Sequence, residues 1–440
     1  MGTTVSTGPM KRLVVAAGER WFIALLGLLL FAGFILPARH DRGPLRRLFS
    51  ASRSSDFLLM YVQTKAWMKG ADPYSQASQL AFWPGEVFGE PLSPEYLVER
   101  AGMPAPYPIP VFVLLIPFAV LPWSIANASL VLLDYALLFV TIRTLMRFSS
   151  IEGWRRIAWV AAVLAFEPVY VGMVANNIAV LAVECALLAI GMSGASRIAA
   201  PILLAVSVAL KPQIGLCFLV YFCLRGCWRL VMPTVALLGA ASIVALLRMQ
   251  WAHINWMASY LRVSAFFFRP GGINDFRPSN AYRFDLINLQ VVLYPLLGSA
   301  KAAQLGALFL AGLLLGLWLV LLVRSRGLPD LLAMGTLSAI NLLPFYHRFY
   351  DATLLLLPLC CYVACFRAGE WLDRVSLLLW GPFLVPLARP FRLWLATDTS
   401  PGRWLDGLIR PGTNWCLLAL SVFLLWRLYR AFTGVEEGCA

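Results

Sequence analysis

Apolar stretches long enough to cross a bilayer, about 17 residues or more, recur along the whole chain and are separated by short clusters of arginine. This pattern constrains the fold more than any motif. A chain of 440 residues that is 60% hydrophobic and 13% charged cannot hide so much apolar surface in one soluble core, since a soluble domain carries roughly 25% charged residues. The runs are continuous rather than alternating, which excludes a transmembrane barrel. The expectation is an all-α polytopic membrane protein with a single membrane domain over 1–440, because no soluble-looking segment is long enough for its own core.

Charge sets the orientation. Lys11, Arg12 and Arg20 precede the run from Trp21 to Pro37 and place the N-terminus in the cytoplasm. No small-residue cleavage site follows that run, so it is expected to stay as the first helix. Further helices are expected at 124–142, 157–172, 177–193, 197–210, 213–225, 230–247, 301–323, 328–344, 351–366, 375–388 and 414–428. They make about twelve spans with both termini cytoplasmic. The segments 109–121 and 286–297 are short, and 109–121 is bounded by prolines, so both are expected to be interfacial. Two long extracytoplasmic loops result, 38–106 and 248–299. Within the first, Phe57, Leu58, Met60, Tyr61, Ala66 and Trp67 have helical spacing and predict a short surface helix over 56–69. Gly70 ends it and Asp72-Pro73-Tyr74 makes the turn.

The formal net charge is +14 and Arg outnumbers Lys. Part of this excess lies in non-cytoplasmic loops, where the positive-inside bias does not explain it, and a planar guanidinium fits phosphate. Nucleic acid is excluded as a partner because the charges are scattered among membrane segments. None of the nine cysteines forms a CxxC pair and the three histidines are far apart, so no zinc or redox site is expected.

The polar residues instead collect at one end. Asp56, Asp72, Tyr74, Tyr107, Asn176, Asn177, Lys211, Gln213, Asn280, Arg283, His347, Arg348, Tyr350 and Asp351 all fall at non-cytoplasmic helix ends or in the loops there. Polar groups at such depth are costly unless paired or wetted, so a shared polar cavity is expected. Carboxylates, cations, amides and aromatic rings together suit a sugar phosphate. Asp56 lies between Arg39, Arg42, Arg46, Arg47 and Arg53 and an apolar, aromatic segment, a setting that suits a general base. It also has the position of a helix N-cap, and one residue can do both. Asp72-Pro73-Tyr74 reads as a turn that shapes the loop as well as a contact. Lys211-Pro212 reads equally as a helix break with a snorkelling lysine.

Asp56-Phe57 followed by Tyr61, then Gly70-Ala71-Asp72-Pro73-Tyr74, then Tyr107-Pro108-Ile109-Pro110 before an apolar run, resembles the GT-C superfamily of polyprenyl-phosphate-sugar-dependent glycosyltransferases. The pattern is most similar to glycosyltransferase family 87, a family of alpha-mannosyltransferases. Lys211-Pro212, the segment from Arg225 to Arg229 and Tyr346-His347-x-x-Tyr350-Asp351 fit its later pattern. The resemblance implies a GT-C type helical bundle and inverting transfer on the extracytoplasmic side of the cell membrane. The donor is a β-linked polyprenyl-phosphate sugar, with mannose as the family's usual hexose, and the acceptor a glycolipid or glycan. It also implies that Asp56 is the catalytic base and that His347 stands at the donor-phosphate end. Tyr74, Tyr107, Asn176, Asn177, Lys211, Asn280, Arg348, Tyr350 and Asp351 are the candidate substrate contacts. Val174-Ala175-Asn176-Asn177 departs from the family, which often has Gly-Gln before the Asn; the departure bears on the acceptor or sugar contact there and not on the base. No DxD or adjacent acid pair stands in the first loop, and no metal or other cofactor is expected. A transporter or flippase of a lipid-linked anion is the competing class, since broken helices with polar ends also occur there.

Overall fold

The computed structural model describes residues 56–84, 86–87, 90–91, 104–280, 282–325, 327–367, 370–384 and 410–434. The expected first span, the arginines of 39–53, Ser54, Ser55 and the Arg- and Trp-rich loop beyond 388 lie outside the described residues. Among the described residues the fold is helical, apart from a two-residue antiparallel ladder pairing Glu86–Val87 with Glu90–Pro91.

In chain order the helices are α1 (Asp56–Met68), α2 (Gln76–Phe82), α3 (Pro110–Leu114), α4 (Ile116–Ala119), α5 (Trp123–Phe148), α6 (Trp154–Leu164), α7 (Glu167–Ala175), α8 (Ile178–Met192) and α9 (Ala199–Leu210). They continue with α10 (Pro212–Leu224), α11 (Trp228–Trp251), α12 (Trp256–Phe268), α13 (Leu289–Leu297), α14 (Ala300–Arg324) and α15 (Asp330–Asn341). A 3-10 turn (Phe349–Leu355) then leads into α16 (Leu356–Cys365), followed by α17 (Trp371–Trp380) and α18 (Gly412–Phe432).

Four of these, α5, α11, α14 and α18, are long and apolar enough to cross a membrane. Their outward residues include Leu305, Phe309 and Leu313 of α14 and Met232, Val235 and Ile243 of α11. Such open stripes of large apolar side chains are what a bilayer covers and water does not. By contrast α8 is buried on every side from Ile178 to Ile190, as a helix apolar all round must be. It packs against α5, α9 and the 3-10 turn, and forms the axis of the bundle. The short interior helices α8 to α10 run about 18–22 Å at 1.5 Å per residue, less than a bilayer core, so at least one end of each lies within the depth that the longer outer helices span.

Helix ends follow local chemistry. Asn177, Asn255, Asn288 and Ser299 cap α8, α12, α13 and α14 by accepting an N–H of the first turn. Pro212 forbids helical backbone at the preceding Lys211, which is extended at φ −149° and ψ 90°, and so separates α9 from α10. Asn176 takes the left-handed conformation (φ 47°) that Asn tolerates and ends α7.

Three expectations change. The helix over 56–69 exists as α1, but it is covered by protein rather than lying open at the surface. Phe57, Leu58, Met60, Tyr61, Gln63 and Thr64 are all buried, because α1 packs against α2, α3, α4, α5 and α11. The run 157–172 is two helices, since Phe166 leaves helical geometry (φ −80°, ψ 103°) before Pro168. The loop over 248–299 contains the 13-residue α12, whose Asp72-bound Ser259 and buried Val263 fix one face. The segments 109–121 and 286–297 contain only helices of five, four and nine residues.

Close packing of α9 on α10 depends on Gly215. A Cβ there would lie 2.6 Å from the Val208 nitrogen and 2.8 Å from its Cα, both backbone atoms that cannot yield without moving α9. Gly215→Ala is therefore expected to destabilise the protein by about 1–3 kcal/mol, read as a lower unfolding midpoint in detergent. An unchanged midpoint would show that the two helices are free to part.

Candidate active site

The site is built where four chain breaks meet: the start of α1, the α7–α8 turn, the α9–α10 break and the segment entering the 3-10 turn. Phe57, which has no intrahelical acceptor at the start of α1, donates its N–H to the Asn176 carbonyl at 3.2 Å. One residue earlier, the Asp56 carboxylate accepts from Asn177 Nδ2 at 2.8 Å. Asn177 at the same time accepts the Ala179 N–H at 2.9 Å, so capping α8 fixes the amide that orients Asp56. Asn176 turns away and donates to Asn127 of α5 at 2.6 Å.

Tyr107 lies in the field of this carboxylate. The Tyr107 N–H donates to the Ala105 carbonyl, and Ala105 is held by the buried Gln63, which donates to the Pro73 and Ala105 carbonyls and accepts the Ala105 N–H. The Tyr74 hydroxyl donates to the Tyr107 carbonyl at 2.5 Å. Burial pushes the Tyr107 phenol well above its usual range. The nearby Asp56, Tyr346 and Asp351 add to that rise, while a hydrogen bond with Asn177 offsets part of it. One phenol thus feels both Asp56 and Asp351. Tyr346 is pushed up to about 12, first by burial and then by Asp351, with Arg348 acting against them.

Asp351 is the second centre. It is fully buried and accepts from Lys211 Nζ at 2.5 Å, from His347 Nδ1 at 3.3 Å and from the Arg348 N–H at 2.9 Å. A carboxylate only accepts, so the proton between it and His347 sits on Nδ1. His347 Nε2 is buried and has no hydrogen-bond partner among the described residues. Lys211 Nζ also lies 5.2 Å from the centre of the Tyr350 ring, and Tyr350 lies in the field of both Asp56 and Asp351. The Arg348 guanidinium does not meet Asp351; one of its N–H groups goes to the Ile273 carbonyl at 2.9 Å.

Asp56, Tyr107, Asn177, Lys211, His347, Arg348, Tyr350 and Asp351 therefore form one constellation. Four sequence-selected residues stand apart: Asn176, which turns to Asn127, and Asp72, Tyr74 and Asn280. Tyr74 is buried with its hydroxyl engaged by Tyr107, and Asp72 is held by its own turn and by Ser259, so 72–74 shapes the loop. Asn280 spends its amide within the loop 271–282, donating to Ile273 and Asp275 and accepting from Tyr282. It reaches the site only indirectly, through the Ile273 carbonyl on Arg348. Asn127 was not singled out in the sequence; the one available signal was an amide inside an otherwise apolar span.

A buried ion pair implies a defined mutational pattern. Asp351→Leu leaves the Lys211 charge buried and is expected to cost about 3–5 kcal/mol. Adding Lys211→Met is expected to restore most of that loss, because two apolar groups of similar size need no pairing. Thermal unfolding of the wild type, both single variants and the double variant measures it; strict additivity would contradict the pairing.

No curated protein and no solved structure matches the chain. The model of glycosyltransferase family 87 matches residues 106–345, more than half of the sequence, and takes in the α7–α8 turn, Asn177, Lys211 and the segment leading to His347. With a helical bundle that exposes membrane-length apolar helices and a polar constellation at one end, the chain belongs to glycosyltransferase family 87 and is a membrane glycosyltransferase.

Proposed function

We propose that this enzyme moves a hexose, with mannose the sugar favoured by the family resemblance, from a polyprenyl-phosphate donor to a glycolipid or glycan acceptor on the extracytoplasmic face. The bundle is then of the GT-C type, with about twelve spans. The observation that carries the proposal is the carboxylate of Asp56, oriented by Asn177 and set beside a second, cationic centre built on Lys211, His347 and Arg348.

Transfer with inversion needs two things on opposite sides of the anomeric carbon. The acceptor hydroxyl must lose its proton as its oxygen bonds to that carbon, and Asp56 takes the proton. The bond from the anomeric carbon to the phosphate oxygen breaks, and its electron pair leaves with the polyprenyl phosphate. A leaving phosphate needs no proton if cations receive its charge. Lys211 is already balanced by Asp351, so the net positive field comes from Arg348 and from His347 when Nε2 also carries a proton. The Asp351 carboxylate holds Lys211 and His347 in place and is assigned a positioning role. Tyr107 and Tyr350, whose phenols feel both Asp56 and Asp351, offer rings that suit the apolar faces of the sugar.

Purified protein is expected to transfer mannose from a synthetic β-linked polyprenyl-phosphomannose to members of a glycolipid panel. Asp56→Asn is expected to lower the rate by about 10²–10⁴-fold with its unfolding midpoint kept. Asn177→Ala, which leaves the carboxylate but frees its orientation, is expected to lower kcat by roughly tenfold with KM little changed. Normal transfer by Asp56→Asn would overturn the assignment of the base.

A further inference from the structure

A second polar feature lies at the other end of the bundle. Asn177 starts α8 beside Asp56, and Ser193 follows its last residue, so about 22 Å of helix separates the two ends. There a cavity of about 1300 Å³ opens between the α8–α9 turn, the α10–α11 turn and the end of α14. Among the described residues three arginines line it: Arg197, Arg225 and Arg229.

Their states differ. Arg225 is compensated: it donates to Asp330 at 2.8 Å, to the Leu328 carbonyl at 3.1 Å and to the Tyr221 hydroxyl at 3.2 Å. Asp330 is thereby used. Arg197 and Arg229 are exposed and, among the described residues, make no hydrogen bond or ion pair. The 24-residue α11 begins in the same cavity with no side-chain cap, adding the positive end of a long helix. The cavity thus presents two uncompensated guanidinium groups and a helix N-terminus, with the acid at its rim already paired.

Its other walls are apolar and open. Leu224, Trp228 and Val323 line it with exposed side chains, and α11 and α14, which carry the last two, are among the least buried of the long helices. A soluble anion needs only the cationic part. A cavity that joins cations to an apolar wall continuous with lipid-facing helices fits an amphiphile with an anionic phosphate head. We propose that this cavity binds the headgroup of an anionic phospholipid, held by Arg197 and Arg229, at the membrane surface opposite Asp56. The site is independent of the sugar-transfer chemistry.

Native mass spectrometry of the purified full chain, titrated with phosphatidylglycerol or phosphatidylcholine, tests this. Phosphatidylglycerol is expected to bind more tightly, and Arg197→Gln with Arg229→Gln to weaken it by roughly thirtyfold, the product of two charge contacts at a membrane surface. Phosphatidylcholine binding and the unfolding midpoint are expected to be unchanged in that variant. Arg262→Gln, an exposed arginine of α12 outside the cavity, is expected to bind phosphatidylglycerol as the wild type does. Equal binding of the two lipids, or wild-type phosphatidylglycerol binding by the double variant, would overturn the site. Inorganic phosphate separates the two sources of the same chemistry. Thermal stabilisation by phosphate alone that matches phosphatidylglycerol and needs both arginines would overturn the lipid assignment in favour of a soluble phosphate ligand.

Discussion

The ion pair between Lys211 and Asp351 is the constraint on which the site depends. Both groups are buried in a bundle where an isolated charge would be prohibitive, and neither is tolerable without the other. Their union has structural consequences. It joins the α9–α10 break to the segment after α15, 140 residues further along the chain. It also draws in His347 and the Arg348 backbone as further donors to the same carboxylate. An apolar pair of similar size would restore most of the stability, and under the proposed function the charged pair serves ligand binding.

Backbone breaks make that placement possible. Interior helices of 12–15 residues have one end inside the bundle, at the buried Asn177, Leu210 and Lys211. Each end leaves amides and carbonyls that need partners, and Pro212, Asn176 and Asn177 fix where those ends fall. The polar layer is therefore not added to a finished apolar bundle. It arises because the helices stop at one level, and side chains next to the stops are the ones that can reach a common point. Asp56 joins that level through the Asn176 carbonyl and the Asn177 amide, so a helix start and a helix cap serve the same atom set.

Much of this was legible in the sequence. Long apolar runs fixed by the bilayer's thickness announce the outer helices within a few residues, as for 301–323 against Ala300–Arg324. Lys211-Pro212 announces a break because proline acts on its neighbour's backbone, and Asp56, Asn177, His347 and Asp351 stand out because polar groups near apolar spans are costly. Long-range partnership was not legible. Nothing local says that Asp351 meets Lys211 and not the guanidinium of Arg348, three residues away. Nor does local sequence show that the donors of Asn280 are consumed by its own loop, or that the Tyr74 hydroxyl is an anchor. The α12 helix was hidden because Trp, Tyr and Phe between arginines look alike in a loop and in a surface helix. Burial of α1 was hidden because Gln63, Thr64 and Lys65 interrupt its apolar run and read as a solvated face, whereas Gln63 and Thr64 are buried and satisfied by backbone carbonyls.

The central claim is that one polar layer receives both the sugar and its phosphate. The most direct test is an experimental structure with a non-transferable polyprenyl C-phosphonate analogue of the sugar donor. The account predicts the phosphonate within hydrogen-bond reach of Lys211, His347 or Arg348, and the anomeric carbon open to a hydroxyl that also reaches the Asp56 carboxylate. A phosphonate bound away from this layer, or an anomeric carbon whose far face is turned from Asp56, would contradict it.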